Sequence, residues 1–296
     1  MLGEILINAR LEVNIMKSRL NYKLVVIGGA EDKKGRKKIL NEVCNLINKD
    51  KDTLLVATIA SEVQGEMEDI YRKVFNNIGV KNLKFLSIEE REEAYLQSNL
   101  ELVKEAKLIF FTGGDQLKIT SLIGGTPLNK KLIDGMYEGK IIVGTSAGAS
   151  VMSGTMILEG DDEESPNKHS INMSPGLGLI RNAIIDQHFI QRGRIGRLLT
   201  GVAENPENLG IGIDEDTAII VDERKLITVI GSGAVYILDG NSIIHSNVSE
   251  QHRDKPLSIF NVKLHVLIEG NKFDLVKKIP FEEEVLRDED NRNEDI

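Results

Sequence analysis

Cysteine is almost missing from this chain: Cys44 stands alone among 296 residues. An intrachain disulfide is therefore excluded, and a chain of this length can bury a core without one. Cys44 lies in the amphipathic run Ile39 to Ile47 and reads as a small buried helix residue rather than a nucleophile. No window approaches the ~18 uncharged apolar residues of a membrane span. Residues 1–10 lack the apolar stretch and small-residue cleavage site of a secretory signal, so the expected compartment is the cytoplasm. A sustained Lys/Arg run is absent too. Lys plus Arg number 37 against 46 Asp plus Glu, a net charge of −9, which argues against a nucleic-acid binder relying on phosphate neutralisation. A charged small substrate stays open, because local fields can oppose the net charge.

What is present describes an ordinary globule, with 41% apolar and 28% charged residues. With no internal repeat and no Pro/Gly/Ser linker, we expect one domain over residues 21–275. An extension (1–20) precedes it, and a charged, frayed tail (276–296) follows. Short runs apolar on both faces, at 24–27, 54–59, 108–111 and 141–143, alternate with helical stretches near 35–49, 64–77, 98–106 and 129–138. That alternation predicts an α/β fold with a mostly parallel, doubly wound sheet. Strand-like runs at 183–186, 211–213, 217–221, 226–230 and 234–238 predict an antiparallel C-terminal extension, and the polar stretch 159–177 a long loop. Four of the strands end in small or polar residues: Gly28-Gly29-Ala30-Glu31-Asp32, Ala60-Ser61-Glu62, Thr112-Gly113-Gly114-Asp115-Gln116 and Gly144-Thr145-Ser146-Ala147-Gly148. In open parallel sheets the site lies beyond the carboxyl ends of the strands.

The last of these is a G-x-S-x-G directly after a strand, the pattern of a nucleophile elbow that exposes the Ser146 hydroxyl and aims the next amides at a developing oxyanion. A tight turn or an anion-binding loop is the plainer reading. A serine nucleophile needs a base. Of five histidines, His188 in Asp186-Gln187-His188-Phe189 follows a strand, whereas His169, His245, His252 and His265 lie in polar loop or peripheral sequence. The acid that would orient it stays open among Glu159, Asp161, Asp162, Glu163, Glu164 and Asp186. Asp214-Glu215-Asp216 is also strand-terminal, and either reaches the site or caps a turn. Arg192, Arg194 and Arg197 then read as surface salt-bridge partners or as forks for substrate carboxylates.

These segments, with Ser174-Pro175-Gly176-Leu177-Gly178-Leu179 and Gly210 to Ala218, make residues 22–240 resemble the serine peptidase family that contains cyanophycinase and aspartyl dipeptidase. The resemblance implies a fold similar to class I glutamine amidotransferases, with serine where those carry cysteine. It implies hydrolysis of cyanophycin, an aspartate polymer with arginine on each side-chain carboxyl, to β-aspartyl-arginine. Carried over by position, Ser146 is the nucleophile, His188 the base and Glu164 the third triad member. The amides of Ala147 and Gly114 form the oxyanion hole. Gln116, Asp186, Gln187, Arg192, Arg194 and Arg197 line the substrate site, with Asp186 facing the substrate guanidinium and the arginines its carboxylates. It implies no metal and no cofactor, a cyanophycin or β-aspartyl peptide substrate, no nucleic-acid or membrane partner, and a homodimer. Two rivals remain: another small-peptide hydrolase of the same family, and a non-catalytic anion-binding module using Gly28-Gly29 and Gly113-Gly114, though neither loop follows G-x-G-x-x-G or ends in Gly-Lys-Ser/Thr.

Overall fold

The computed structural model describes residues 23–160, 165–167, 171–252 and 255–281. Its first half alternates strand and helix: β1 (Lys23–Ile27), α1 (Lys38–Asn45), β2 (Thr53–Ala57), α2 (Gln64–Ile78), β3 (Asn82–Leu86), α3 (Gln97–Glu105), β4 (Ala106–Phe111), α4 (Gln116–Ile123), α5 (Pro127–Tyr137) and β5 (Ile141–Thr145). The five strands are parallel and lie in the order β3-β2-β4-β5-β1.

Such strands must be apolar on both faces, because each face is roofed by helices. Val25, Ile27, Leu54, Val56, Leu108 and Phe110 meet α1 and α2, where Tyr71 and Phe75 pack their rings on Phe110 at 5.1 and 5.5 Å between centroids. Leu24, Val26, Leu55, Ile109, Phe111 and Ile142 face α4 and α5 on the other side. Local chemistry starts these helices. Asp115 caps α4 by accepting from the Leu117 amide at 2.7 Å, and Thr126 caps α5 ahead of Pro127 in its first turn.

The second half contains α6 (Ala147–Ser150), β6 (Thr155–Gly160), β7 (Ile171–Pro175), β8 (Ala183–Gln187), α7 (Ile195–Glu204), β9 (Leu209–Ile213), β10 (Thr217–Asp222), β11 (Leu226–Gly231), β12 (Val235–Asp239), β13 (His245–Ser246), β14 (Ile259–Phe260), β15 (Lys263–Leu267), β16 (Lys272–Asp274) and β17 (Ile279–Phe281). Strands β10, β11, β16 and β17 extend the main sheet antiparallel from β1. Strands β8, β9, β12 and β15 form a second sheet. Its Ile185, Ile211 and Ile213 join the main core, while Ile184 and Leu238 pack under Leu198 and Val202 of α7.

Several expectations are corrected. The extension is not wholly antiparallel, since β8 and β9 run parallel. The stretch expected as a loop holds a hairpin: β7 pairs with β6 from Thr155↔Pro175 to Gly160↔Ile171. Residues 279–281 are an edge strand on β16 rather than frayed tail. Strand β3 was not anticipated. As an edge strand it carries Asn82 and Lys84, which break the apolar run that marks its neighbours.

Candidate active site

Ser146 follows β5 and caps α6 with φ 53° and ψ −115°, a backbone conformation rarely adopted by residues other than glycine. The surroundings hold it there. Its amide donates to the Ile27 carbonyl at 3.1 Å, continuing the β1–β5 ladder, and its carbonyl accepts from Ala149 and Ser150. The two glycines of G-x-S-x-G are required by close approach: a Cβ on Gly144 would collide with the Gly148 carbonyl, and one on Gly148 with the Phe111 carbonyl. The Gly113-Gly114 turn after β4 passes beside the serine, with the Cβ position of Gly113 3.2 Å from the Ser146 Cβ.

His188 begins the turn after β8 with φ 48°, and its amide donates to the Gly28 carbonyl at 2.8 Å. Its Nε2 lies 3.0 Å from Ser146 Oγ. Nδ1 lies 2.6 Å from Oε1 of Glu215. The carboxylate favours a proton on Nδ1, which leaves Nε2 free to accept the serine proton. Burial holds the His188 imidazole below the ordinary histidine pKa, with Arg192 and Arg194 pushing the same way and Glu215 opposing them. A base that stays neutral below the usual histidine range, hydrogen-bonded to a hydroxyl and oriented by a carboxylate, is an arrangement suited to nucleophilic attack.

The segment after β9 is tied to the histidine turn. Asp214 accepts from the amides of Ile190 and Ala234, each at 3.0 Å. Gln191 Oε1 accepts from the Glu215 amide at 3.1 Å. Glu215 therefore stands where a triad acid would, whereas Glu164 lies outside the described residues. The parallel β8–β9 pairing, with Gln187 opposite Ile213, makes the residues beyond both strand ends neighbours. Two strands ending side by side were the available signal. Reading both strands into an antiparallel extension removed it.

The remaining predicted residues divide. Asp186 is buried and takes both Arg197, with Nε 2.6 Å from Oδ2 and a second bond from Nη2, and Arg194 Nη1 at 3.5 Å. Arg194 Nη1 also donates to the backbone carbonyl and Oε1 of Gln187, at 2.8 and 3.0 Å. In the structure the charges of Asp186, Arg194 and Arg197 are buried on one another, and Gln187 is buried with them. Arg192 is exposed. Gln116, at the start of α4, donates to the carbonyls of Ile157 and Leu158 at 3.1 and 2.7 Å, tying the site to the β6–β7 hairpin. Ala147 opens α6, where the first amides have no intrahelical acceptor. Gly114 follows Gly113 at the same edge. Among the described residues no group of three or more His, Cys, Asp or Glu is placed to hold a metal ion. No helix there is long and apolar enough to cross a membrane.

With this geometry in hand, comparison with known proteins is specific. The family model described as peptidase family S51 matches residues 24–229. A cyanophycinase of Geminocystis herdmanii is 38% identical over 259 residues, covering 87% of this chain and 95% of that protein. A cyanophycinase of Trichormus variabilis is 35% identical over 256 residues, covering 86% of each chain. A peptidase E of Nostoc sp. is 26% identical over 189 residues, or 61% of this chain and 72% of that one. Among solved structures, a peptidase from an acI-B1 actinobacterium shares the fold with a TM-score of 0.63, at 24% identity over 87% of this chain and 98% of that chain.

Proposed function

This chain belongs to peptidase family S51, a family of serine peptidases, and from that premise we propose that it degrades cyanophycin to β-aspartyl-arginine through an acyl-enzyme on Ser146. The supporting observation is the chain of contacts from Ser146 Oγ through the His188 ring to Glu215 Oε1, at 3.0 and 2.6 Å. The cyanophycinase relatives supply the substrate.

In the proposed reaction His188 Nε2 takes the Ser146 proton as Oγ attacks the scissile carbonyl. Glu215 keeps the other ring proton on Nδ1 and stabilises the imidazolium. The amides of Ala147 and Gly114 receive the oxyanion, where each such donor is worth ~10²–10³ in rate. The tetrahedral intermediate collapses as His188 returns the proton to the leaving amine. His188 then takes a proton from a water that attacks the acyl carbon, and passes it to Ser146 Oγ as the acyl group leaves, which restores both residues. Arg192, the exposed one of the three arginines, is assigned to a substrate carboxylate in this reading. A homodimer, and a fold akin to class I glutamine amidotransferases with Ser146 in place of their cysteine, belong to the same reading.

Mass spectrometry of a cyanophycin digest tests it. Release of β-aspartyl-arginine by the native chain, and none by Ser146→Ala, is the expected result. Intact polymer would sink the substrate assignment, and full activity of the variant would sink the mechanism. Cleavage of aspartyl dipeptides in place of the polymer would favour another small-peptide hydrolase of the same family.

A further inference from the structure

Beneath the elbow lies a second acidic group that the triad does not use. Glu31, just beyond β1, has a side chain 1% exposed. Its Oε2 accepts from Thr145 Oγ1 at 2.6 Å and its Oε1 from the Tyr71 hydroxyl at 2.6 Å. Lys33 Nζ lies 2.7 Å from Oε1, and 5.3 Å from the centre of the Tyr71 ring. A buried carboxylate is costly unless paired and hydrogen-bonded, and here both oxygens are engaged. Thr145 is the residue immediately before Ser146. Its backbone is fixed by the pairing of Ile27 with Thr145 across β1 and β5, and Glu31 fixes its side chain.

We propose that Glu31 is a positioning residue that acts through the Thr145 hydroxyl to hold the Ser146 elbow in its attacking conformation. The strain at Ser146, with φ 53°, would relax if the last residue of β5 could turn. The short charge-assisted bond to Thr145 opposes that turn. Lys33 and Tyr71 fix the carboxylate in turn, so α2 becomes the anchor of the elbow. The proposal rests on Ser146 being the nucleophile.

Phosphonylation by a fluorophosphonate reads nucleophile geometry directly and needs no natural substrate. Thr145→Val removes the hydroxyl at nearly constant shape, Thr145→Ser retains it, and Glu31→Gln removes the charge. We expect Thr145→Val to slow both phosphonylation and kcat by about 10- to 100-fold, as small misplacements of reacting groups do, with KM within about twofold. Thr145→Ser should restore both rates to within about threefold, which a purely packing role would not predict, since serine lacks the methyl group. Phosphonylation of folded Thr145→Val at the native rate would overturn the proposal. Should that variant fail to fold, Glu31→Gln decides: slowed labelling supports the positioning role and native labelling ends it. Equal labelling of native protein and Ser146→Ala would instead overturn the nucleophile assignment, so the two failures are distinguishable.

Discussion

The imidazole of His188 rests directly on the α-carbon of Gly29. A Cβ built there would collide with Nε2 and Cε1, and the Gly29 backbone has φ +96°, which other residues rarely adopt. Gly29→Ala should therefore displace the base rather than unfold the sheet. We expect kcat/KM to fall at least ~10²-fold, with the far-UV circular dichroism unchanged. An alanine variant of native activity would show that the ring need not occupy this position.

Glu215 and Glu164 make opposite claims on His188. Glu215→Gln places an amide against Nδ1, which destabilises the productive tautomer, so kcat should drop by ~10³–10⁴-fold. The same change at Glu164 should cost far less. Steady-state kinetics on both variants decides the matter, and the reverse ranking would reinstate Glu164.

The pH profile follows from burial of His188. Neutral imidazole is the reactive form, and its pKa is lowered, so the acid limb of kcat/KM should lie below the ordinary histidine value of ~6.5. Glu215 opposes the lowering. Its residual activity in Glu215→Gln should accordingly lose its acid limb at a still lower pH. An acid limb moving upward in that variant would contradict the arrangement.

Removing Asp186 takes away the carboxylate on which the buried Arg194 and Arg197 converge. Asp186→Ala should destabilise the fold by about 3–5 kcal/mol, the typical result of breaking a buried ion pair from one side. Arg192→Ala should leave unfolding almost unchanged while raising KM. Urea titration beside kinetics separates the two, and a stable Asp186→Ala variant with only a raised KM would return Asp186 to the substrate.

Asp32 organises the turn after β1 by accepting from the amides of Lys34, Gly35 and Lys37 at 2.9, 2.6 and 2.9 Å. These bonds draw its pKa down to about 2 from 3.8. A carboxylate with a lowered folded pKa stabilises above its unfolded value and loses that contribution as pH falls through the folded one. The stability difference between the native chain and Asp32→Asn should thus be constant above pH ~4 and shrink toward pH ~2. Thermal melts across that range measure it, and a difference independent of pH would exclude the mechanism.

The parallel core, the elbow and the base were readable because their signals are local. Ile141-Ile142-Val143 followed by small residues around Ser146 states a strand and a sharp turn in one short stretch. Glu215 was not readable in the same way, since its approach to His188 depends on β8 and β9 pairing parallel across an intervening helix. The pairing of the arginines was hidden for a related reason. Arg194 and Arg197 look alike on paper as substrate forks or ion-pair partners, and only the packing of α7 over β8 turns them onto Asp186. Glu31 was visible within the Gly28-Gly29-Ala30-Glu31-Asp32 motif, but nothing local shows that its carboxylate reaches a hydroxyl 114 positions away.

Three consecutive residues at the end of β1 hold both reacting residues: Ile27 accepts from the Ser146 amide, Gly28 accepts from the His188 amide, and Gly29 lies under the His188 ring. Nucleophile and base are separated by 42 positions along the chain, yet both hang from one three-residue hinge pin. A shift of that end of β1 would therefore move hydroxyl and imidazole together, so the attachment itself favours a constant gap between them.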